Sequence, residues 1–509
     1  MKLLFGELDN DTPKCYNTFI LIERMSLEKG SDFMKVPESQ TLTSLRPLLR
    51  ELLDALLKEY EYASVLAVDS IAKKYSCSKA GLASGQDALN SGKGFVARVY
   101  DKEGCCEYSF NELTASAIPH IIDDIREKLS PITGELPEGV EPGDYIIPKD
   151  EPLFINESTE YEVDPDELGD EKILEKLKAI HELGLKYDDR IIECMAMFSY
   201  RRFSKIFLSR EKDLEQNVMW SNGAVAALSK KDEAVKNSFR GFSNLGGAEL
   251  MDEMEKHVAD ECKVAIELLD AVSIEPGEYE CICTPEVTGM IVHEAFGHGV
   301  EMDMFVKDRA CAKNYIGQQV ASPLVTMHDG AAAVKQTATY FFDDEGTPSQ
   351  DTVVIDKGIL TGGFCDARSA EHLGISPTGN GRRESYERKA YTRMTNTWFE
   401  GGTSTPEEMI ASVKDGLLLE EPTSGMEDPK NWGIQCMVSF AREIKDGKFT
   451  GRIFSPIVLT GYVPDLLKSI TMMSNDVELS GSGFCGKGYK EWVKVSDGGP
   501  WMKARIRLG

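Results

Sequence analysis

Leucine spacing predicts an amphipathic helix near the start of the chain. Apolar residues three and four positions apart line one side of a helix, and the chain repeats leucine in this way at Leu45, Leu48, Leu49, Leu52, Leu53, Leu56 and Leu57. Ser44 can cap this helix, and Pro47 suits its first turn. We therefore expect the first domain to begin near residue 45, after an N-terminal extension of residues 1–44.

Strands and helices alternate in the pattern over residues 45–272. Runs rich in β-branched and aromatic residues predict strands at 62–68, at 95–100 and, as antiparallel partners, across 190–230. Helices are expected at 111–129, 170–186 and 248–272. Proline and acidic residues crowd the stretch 131–170, which indicates an irregular surface connection. The pattern predicts an N-terminal α/β domain with a mixed sheet and helices.

The pattern changes after residue 272. Short strand-like runs punctuated by Gly, Asp and Pro continue from 278 to the end, with few helices between them. A chain of 509 residues also exceeds the size at which a single hydrophobic core stops growing. The predicted class is therefore α+β, in which a C-terminal β-rich domain, residues 273–509, follows the N-terminal domain.

Composition and charge narrow the possible partners. The formal net charge is −28, and acidic residues are spread over the whole length. Duplex binding needs a basic patch, so direct nucleic-acid binding is disfavoured. Neither a signal-like apolar run near the start nor 18 consecutive apolar residues occur. With 12 dispersed cysteines, typical of reduced thiols, these features predict a soluble cytoplasmic protein without a membrane span.

A helix with well-marked ends is predicted in the segment TPEVTGMIVHEAFGHG. Thr284 can cap it, Pro285 suits its first position and Glu286 complements its positive end. Gly299 stands where such a helix would terminate. The same helix carries the most chemically informative residues of the chain.

The motif of zinc peptidases is similar to the arrangement of His293, Glu294 and His298. In that motif, two imidazoles bind the metal and the glutamate activates a bound water. The imidazoles are five residues apart, however, which rotates them roughly 140° from one another on a regular helix. A π-type bulge near Gly297 would bring them together, and such bulges occur at functional sites. A chance spacing is the alternative, expected about once in a hundred such chains.

A catalytic zinc site commonly uses three protein ligands, so a third is needed. Cys485 in GSGFCGKG is a candidate, because the glycines allow close backbone approach and Lys487 could keep a thiolate charged. A glycine-rich turn with an incidental cysteine is equally consistent with these residues. Glu301 and Asp303 could also bind zinc, or could orient a histidine.

Several blocks in this order resemble the TldD/PmbA family, whose members carry the description modulator of DNA gyrase, and in particular its TldD-type zinc metallopeptidase subunit. They are HEAFGHGVEMD, DDEGTPSQ, PTGNGRRESY, RMTNTWFEGG and GSGFCGKG. The resemblance is strong over about 280–490 and looser over 45–270. It implies the two-domain division drawn above and makes Cys485 the preferred third ligand.

The resemblance also implies an activity. The chain would be a zinc-dependent peptidase for unfolded or short peptides, with one zinc per chain bound by His293, His298 and Cys485 and with Glu294 as general base on zinc-bound water. Its expected partner is an identical subunit or a PmbA/TldE-like paralogue that lacks the motif.

Other functions compete with this interpretation. A non-enzymatic regulator that binds a protein partner could use zinc only structurally, although such sites usually have four protein ligands. A redox role for Cys281 and Cys283, or for Cys105 and Cys106, lacks the Cys-x-x-Cys spacing. Residues 382–385 and 393–397 are candidates for a peptide groove, or else polar turns of the β-rich domain.

Overall fold

The computed structural model describes residues 33–101, 104–129, 147–488 and 490–509. Helices and strands are both abundant, which confirms the predicted α+β class. The helices are α1 Gln40–Leu56, α2 Ile118–Leu129, α3 Pro165–Leu168, α4 Asp170–Leu185, α5 Leu250–Lys256, α6 Val258–Glu267, α7 Pro285–Val292, α8 Met302–Val306, α9 Ala367–Leu373, α10 Pro406–Ala411 and α11 Val463–Lys468. Within these ranges, no helix has both the length and the apolar character that a bilayer span requires.

Ten strands precede residue 250: β1 Met34–Lys35, β2 Tyr62–Ser78, β3 Gly81–Gln86, β4 Gly92–Tyr100, β5 Cys105–Phe110, β6 Leu153–Ser158, β7 Glu160–Tyr161, β8 Ile191–Leu208, β9 Lys212–Lys231 and β10 Ala234–Asn244. Most of them form one sheet in the order β10-β9-β8-β2-β4-β5, with β3 beside β2 and β6 beside β9. Helices α1 and α2 pack on one part of this sheet through leucine and isoleucine side chains. Helices α4, α5 and α6 cover another part.

The remaining strands are β11 Gly277–Cys283, β12 Met327–Asp329, β13 Thr352–Asp356, β14 Ile359–Leu360, β15 Gly381–Arg382, β16 Tyr391–Thr392, β17 Asn396–Phe399, β18 Asp415–Asp428, β19 Gly433–Lys445, β20 Lys448–Phe454, β21 Ile457–Tyr462, β22 Met472–Ser480, β23 Phe484–Lys487, β24 Lys490–Lys494 and β25 Ser496–Leu508. Eleven of them form a second sheet among the described residues. This sheet closes on itself at β11, which pairs parallel with β18 and antiparallel with β25.

Helix α7 follows β11 and packs against β25 and β18 of the closed sheet. Its side chains Val287, Ile291 and Val292 are fully buried. The helix that bears the motif is therefore a core element, so its position is fixed by packing.

The two sheets also contact each other. Phe341 and Phe342, which follow β12, pack with Phe207 of β8 in one apolar cluster. Arg98 of β4 forms a 2.6 Å ion pair with Glu345. The predicted division at residue 272 stays a prediction, although strands before and after it belong to different sheets.

Several predicted element bounds are wrong. Helix α1 begins at Gln40, and the side chain of Ser39, not Ser44, accepts from Leu42 N. Leu42 is buried beside the later leucines, so the apolar face extends further back than the spacing indicated. Pro47 lies inside this helix.

Two other predicted helices are shorter than expected. The first starts at Ile118 rather than near 111, since Thr114 Oγ1 accepts from Ala117 N in a local turn. The helix expected over 248–272 is interrupted at His257, whose ring contacts Glu253 and Asp260.

The proline-rich stretch was predicted to be irregular from 131 to 170. Residues 130–146 lie outside the described part of the chain. Beyond them the prediction is wrong, because β6 pairs in parallel with β9 and buries Ile155. Pro148 and Pro152 both precede that strand, which begins at Leu153. The proline-rich composition therefore does not extend into the strand, and the prediction of irregular structure was carried too far along the chain.

Candidate metal centre

The segment after α7 has the unusual helical geometry that the five-residue spacing predicted. Residues His293–Gly297 are π-helical, and the backbone N–H of His298 donates to the carbonyl of His293. This wider turn brings the two imidazoles to the same side, with ring centroids 5.2 Å apart and planes at 86°. The predicted bulge is confirmed.

Close packing explains why position 297 is a glycine, and the sequence did not indicate this reason. A Cβ at this position would lie 2.2 Å from Sδ of Met394, which is closer than side chains approach one another. The glycine therefore lets the π-helical turn lie directly against a buried side chain of the C-terminal sheet region. Thr284, the expected cap of α7, precedes the helix in extended backbone, but its side chain makes no capping hydrogen bond.

Cys485 reaches the imidazoles from the hairpin β23–β24. Its Sγ lies 3.3 Å from Nε2 of His293 and 3.2 Å from Nε2 of His298. One ligand atom from each of the three residues lies within 4.8 Å of the others, and these residues form the group that could hold a metal ion in the described part of the chain. Neither Glu301 nor Asp303 belongs to this group.

Electrostatics in the cluster favour a thiolate. Burial alone would raise the pKa of the Cys485 thiol, but the two imidazoles outweigh burial and hold that pKa well below its ordinary value. Burial likewise opposes protonation of His293, yet the thiolate raises its pKa to about 9. The three side chains therefore stabilise charge on one another.

Carboxylates lie behind both imidazoles. Nδ1 of His298 is 3.5 Å from Oε2 of Glu301, and Nδ1 of His293 is 3.6 Å from Oδ2 of Asp497. Glu301 is itself held by Arg393 Nε at 3.2 Å and Lys487 Nζ at 3.0 Å. Such outer carboxylates orient imidazoles and fix which nitrogen faces a metal.

The sequence analysis expected Lys487 to keep the Cys485 thiolate charged, and this prediction is wrong. Its ammonium group donates to Glu301, Asp303 and the carbonyl of Thr392, rather than facing the Cys485 sulfur. The imidazoles supply the positive charge that the thiolate needs. Lys487 instead holds the carboxylate behind His298 in place.

Glu294 follows His293 on the π-helical turn and borders the cavity in front of the cluster. A Cβ on Gly425 of β18 would lie 2.3 Å from its Cγ and 2.9 Å from its Oε1. The absence of a side chain at Gly425 therefore leaves the space that the glutamate occupies.

Glu427 was missed by the sequence interpretation. Both of its carboxylate oxygens are buried without a hydrogen-bond partner among the described residues, and it lies beside Gly299. Burial raises the pKa of this carboxyl well above its ordinary value. Nothing in the segment GMEDPKN distinguishes this glutamate from a surface residue, so only the fold could have found it.

The cluster forms part of the wall of a cavity of about 1940 Å³. Strands β2, β3 and β8–β10 line one side, and α7, β18 and the β23–β24 hairpin line the other. Residues 382–385 and 393–397, predicted as candidate groove residues, are not among the lining residues. Arg393 is fully buried and donates to the carbonyl of Cys485, so its contact is a structural one.

The C-terminal part of the chain is similar to a known family of proteins. Residues 276–505 match the family model of the PmbA/TldA metallopeptidase C-terminal domain. The Metalloprotease TldD homolog of Haemophilus influenzae is 36% identical over 236 residues, which are 46% of this chain and 48% of that protein. The match thus spans about half the length of that relative.

Two further likenesses extend over more of the chain. The Zinc metalloprotease TldD homolog of Saccharolobus solfataricus is 26% identical over 343 residues, 66% of this chain and 76% of that protein. The crystal structure of TldE from Thermococcus kodakarensis has a TM-score of 0.72 at 16% identity, covering 90% of this chain and 100% of that one. Residues 276–505 are therefore similar to the PmbA/TldA metallopeptidase C-terminal domain, and the chain is similar in sequence to curated TldD homologues.

Proposed function

We propose that this protein is a zinc-dependent peptidase that hydrolyses peptide bonds in unfolded or short peptides. The observation that carries the proposal is the cluster of His293, His298 and Cys485 beside Glu294 at the wall of a large cavity. The names of the curated relatives, metalloprotease and zinc metalloprotease, support it.

The three side chains fit zinc. Zinc binds imidazole nitrogen at about 2.0–2.1 Å and thiolate sulfur at about 2.3 Å, so two such ligands on one tetrahedral ion lie roughly 3.5 Å apart. The sulfur-to-nitrogen distances of 3.2 and 3.3 Å are close to this value. Three protein ligands of these types are also what a catalytic zinc site commonly uses, in which the fourth position stays open. We assign one zinc per chain to them.

Zinc, when bound, supplies Lewis-acid chemistry, which polarises a substrate carbonyl and acidifies water. Glu294 acts as the general base, taking a proton from the attacking water and passing it to the leaving amine. Gly425 leaves room for its carboxylate. Glu301 and Asp497 hold the imidazoles in orientation from behind.

The cavity suits an extended peptide. Its volume of about 1940 Å³ exceeds the roughly 300–1,000 Å³ typical of small-molecule pockets. Strand β18, which carries Gly425 and Glu427, runs beside Glu294 along one wall. A substrate strand that pairs with such backbone is held with little dependence on its sequence.

The proposed assembly is a dimer, either of two identical subunits or with a PmbA/TldE-like paralogue that lacks the motif. The fold similarity to TldE is consistent with both arrangements.

Cleavage mapping of a peptide library by mass spectrometry, with zinc-loaded protein and with chelator-treated protein, tests the activity. Cleavage that requires zinc is expected. One bound zinc per chain with no cleavage of any peptide would instead favour the non-enzymatic regulator.

A further inference from the structure

A second and smaller cavity, of about 60 Å³, lies between the first sheet and strands of the C-terminal region. Five of its lining residues have cationic side chains, and we call these five the cationic pocket. They are Arg201 and Lys205 of β8, Arg382 of β15, Arg383, and Lys494 of β24. Strand β24 belongs to the hairpin that carries Cys485. The pocket therefore exists only when distant parts of the chain come together.

Lys494 gives the clearest indication that a ligand belongs in the cationic pocket. It is 4% exposed, and its ammonium group has no hydrogen-bond partner among the described residues. The rings of Trp220 and Phe484 lie with their centroids 4.9 and 4.6 Å from its nitrogen. Such rings offset part of the cost of burying the charge, but they do not replace the oxygen acceptors that an ammonium group has in water. Its N–H donors are therefore available to a ligand in the cavity.

Arg383 contributes a second buried donor. Its Nη1 donates to a carboxylate oxygen of Glu107 at 3.1 Å and to the carbonyl of Arg388 at 2.7 Å. Its Nε, however, is buried without a hydrogen-bond partner in the described part of the chain. A buried donor without an acceptor costs free energy, and two such donors belong to residues that line one small cavity.

Three members of the cationic pocket have no ion pair within 4.0 Å in the part of the chain that the structure describes, namely Arg201, Arg382 and Lys494. Arg201 donates from Nε to the hydroxyl of Ser70 at 2.8 Å. Arg382 donates from Nη1 to the carbonyl of Met394 at 2.5 Å. These partners are neutral, so they satisfy donors without balancing the positive charge.

The acidic residues of the cavity wall are held by other partners. Asp344 forms an ion pair with Lys205. Asp343 accepts from the backbone N–H of Thr347 at 2.9 Å, and burial raises its pKa to about 7. Glu384 accepts a backbone N–H at 3.1 Å. The wall therefore supplies too little negative charge for the cations that line it.

The cations of the pocket also act on one another. Burial and the charge of Arg382 outweigh Asp344 and lower the pKa of Arg201 to about 10. Burial lowers the pKa of Arg382 and of Lys494 as well. A bound anion would reverse these effects, because it pairs with each positive charge in a place where water cannot screen it.

We propose that the cationic pocket is a binding site for a tetrahedral oxyanion of the size of phosphate or sulfate. One water needs roughly 10–15 Å³ of such a cavity, so a volume of about 60 Å³ holds about as many atoms as phosphate has besides hydrogen. Charged N–H donors form short and strong hydrogen bonds with the oxygens of such ions. Water in the same space would accept from the donors but would leave the charge unbalanced.

The oxyanion would join separate parts of the fold. Arg201 belongs to the first sheet, whereas Lys494 belongs to the hairpin that carries Cys485. An ion that binds both side chains stabilises the folded chain, because it has no such site in the unfolded chain. We therefore expect the oxyanion to raise the melting temperature.

The inference does not depend on the proposed peptidase function, and its test needs no substrate. Zinc-loaded full-length protein is titrated with sodium sulfate, with inorganic phosphate and with sodium acetate, at an ionic strength held constant with chloride. Isothermal titration calorimetry gives the number of sites and the dissociation constants. We expect one site per chain for sulfate and for phosphate, with acetate about tenfold weaker because a carboxylate brings fewer oxygens and less charge.

Lys494→Met is the decisive variant, since methionine keeps an apolar chain of similar length between Trp220 and Phe484 but removes the charge. We expect it to weaken sulfate binding about tenfold or more. It should also lose the rise in melting temperature that sulfate gives the wild type over chloride. The exposed Lys414→Met is the matched control, and it should bind sulfate as the wild type does.

Thermal melting establishes that each variant is folded, and Arg201→Gln takes the place of Lys494→Met if the latter is not. No binding of sulfate or phosphate to the wild type would overturn the proposal and leave the cavity to water. Binding that persists unchanged in the folded Lys494 variant would also overturn it, since the ion would then lie elsewhere, for example at the zinc. Acetate that binds as tightly as sulfate would exclude a site built for a tetrahedral oxyanion.

Discussion

The sulfur of Cys485 lies 3.3 Å from Nε2 of His293, although 192 residues separate the two in the chain. The hairpin that carries the cysteine is fixed by Arg393, which donates to the carbonyls of Cys485 and Glu491. Trp220 of the N-terminal sheet also packs edge-on against Phe484 of that hairpin, with centroids 6.0 Å apart. The integrity of the cluster therefore depends on both sheets of the molecule.

Cys485→Ala should weaken zinc binding by about 100-fold or more, because it removes a charged ligand from the set. Competition with a colorimetric chelator measures this change. Cys365→Ala is the matched control, since Cys365 is also buried but does not belong to the group that could hold a metal ion. Equal zinc affinity in the Cys485 variant and the wild type would exclude the sulfur as a ligand.

Gly425→Ala should lower kcat by about 100-fold while zinc stays bound, since the new methyl group would occupy the space of the Glu294 side chain. Steady-state cleavage of a fluorogenic peptide, with metal analysis of the same sample, provides the measurement. Gly433→Ala on the neighbouring strand β19 serves as the control, because its Cβ would meet nothing closer than 3.9 Å. A Gly425 variant as active as the Gly433 variant would mean that the Glu294 carboxylate does not need this space.

Glu261→Gln should stabilise the protein in a pH-dependent manner. Burial raises the folded-state pKa of Glu261 to about 7, above the unfolded value of about 4.3. The stability associated with its protonation is thus present below pH 4 and is lost as the pH rises through 7. The variant should gain roughly 3 kcal/mol in free energy of unfolding at pH 8 and little at pH 4.

Urea unfolding at the two pH values measures this gain, with exposed Glu51→Gln as control. No difference between the gains at pH 8 and pH 4 would mean that burial does not raise the pKa of Glu261.

His328→Gln tests a second buried charge, which lies on β12. Burial lowers the pKa of His328, but hydrogen bonds with Asp351 at 2.7 Å and Glu400 at 3.1 Å outweigh it and raise the pKa. These ion pairs stabilise the fold below the unfolded pKa of about 6.5, and their contribution is lost as the pH rises through the folded pKa.

The His328 variant should therefore lose about 1–2 kcal/mol more at pH 6 than at pH 9, measured by urea unfolding. Exposed His372→Gln should show no such difference. An equal loss at both pH values would assign the role of His328 to its stacking on Trp398, whose ring centroid is 4.9 Å away.

Local sequence features predicted the motif-bearing turn well. The five-residue spacing of His293 and His298 is incompatible with a regular helix that binds one metal, so the spacing itself specified the π-helical turn. The α+β class followed similarly from hydrophobic periods that differ between strands and helices.

Long-range relationships could not be predicted in this way. Cys485 was selected through family resemblance, because nothing near His293 in the sequence indicates which distant thiol reaches it. Lys487 was assigned to the wrong partner, since its neighbour in sequence, Cys485, is not its neighbour in space. Gly425 and Glu427 both lie on β18. Only the fold places Gly425 beside Glu294 and Glu427 beside Gly299, so neither could be selected from the sequence.

The most direct test of the central claim compares zinc-loaded wild type with Glu294→Gln in cleavage of a peptide found by the library screen. The account predicts one zinc per chain in both proteins and a kcat lower by about 1000-fold in the variant, because only the proton transfer is removed. Cleavage by the variant at the wild-type rate, with zinc bound, would contradict it.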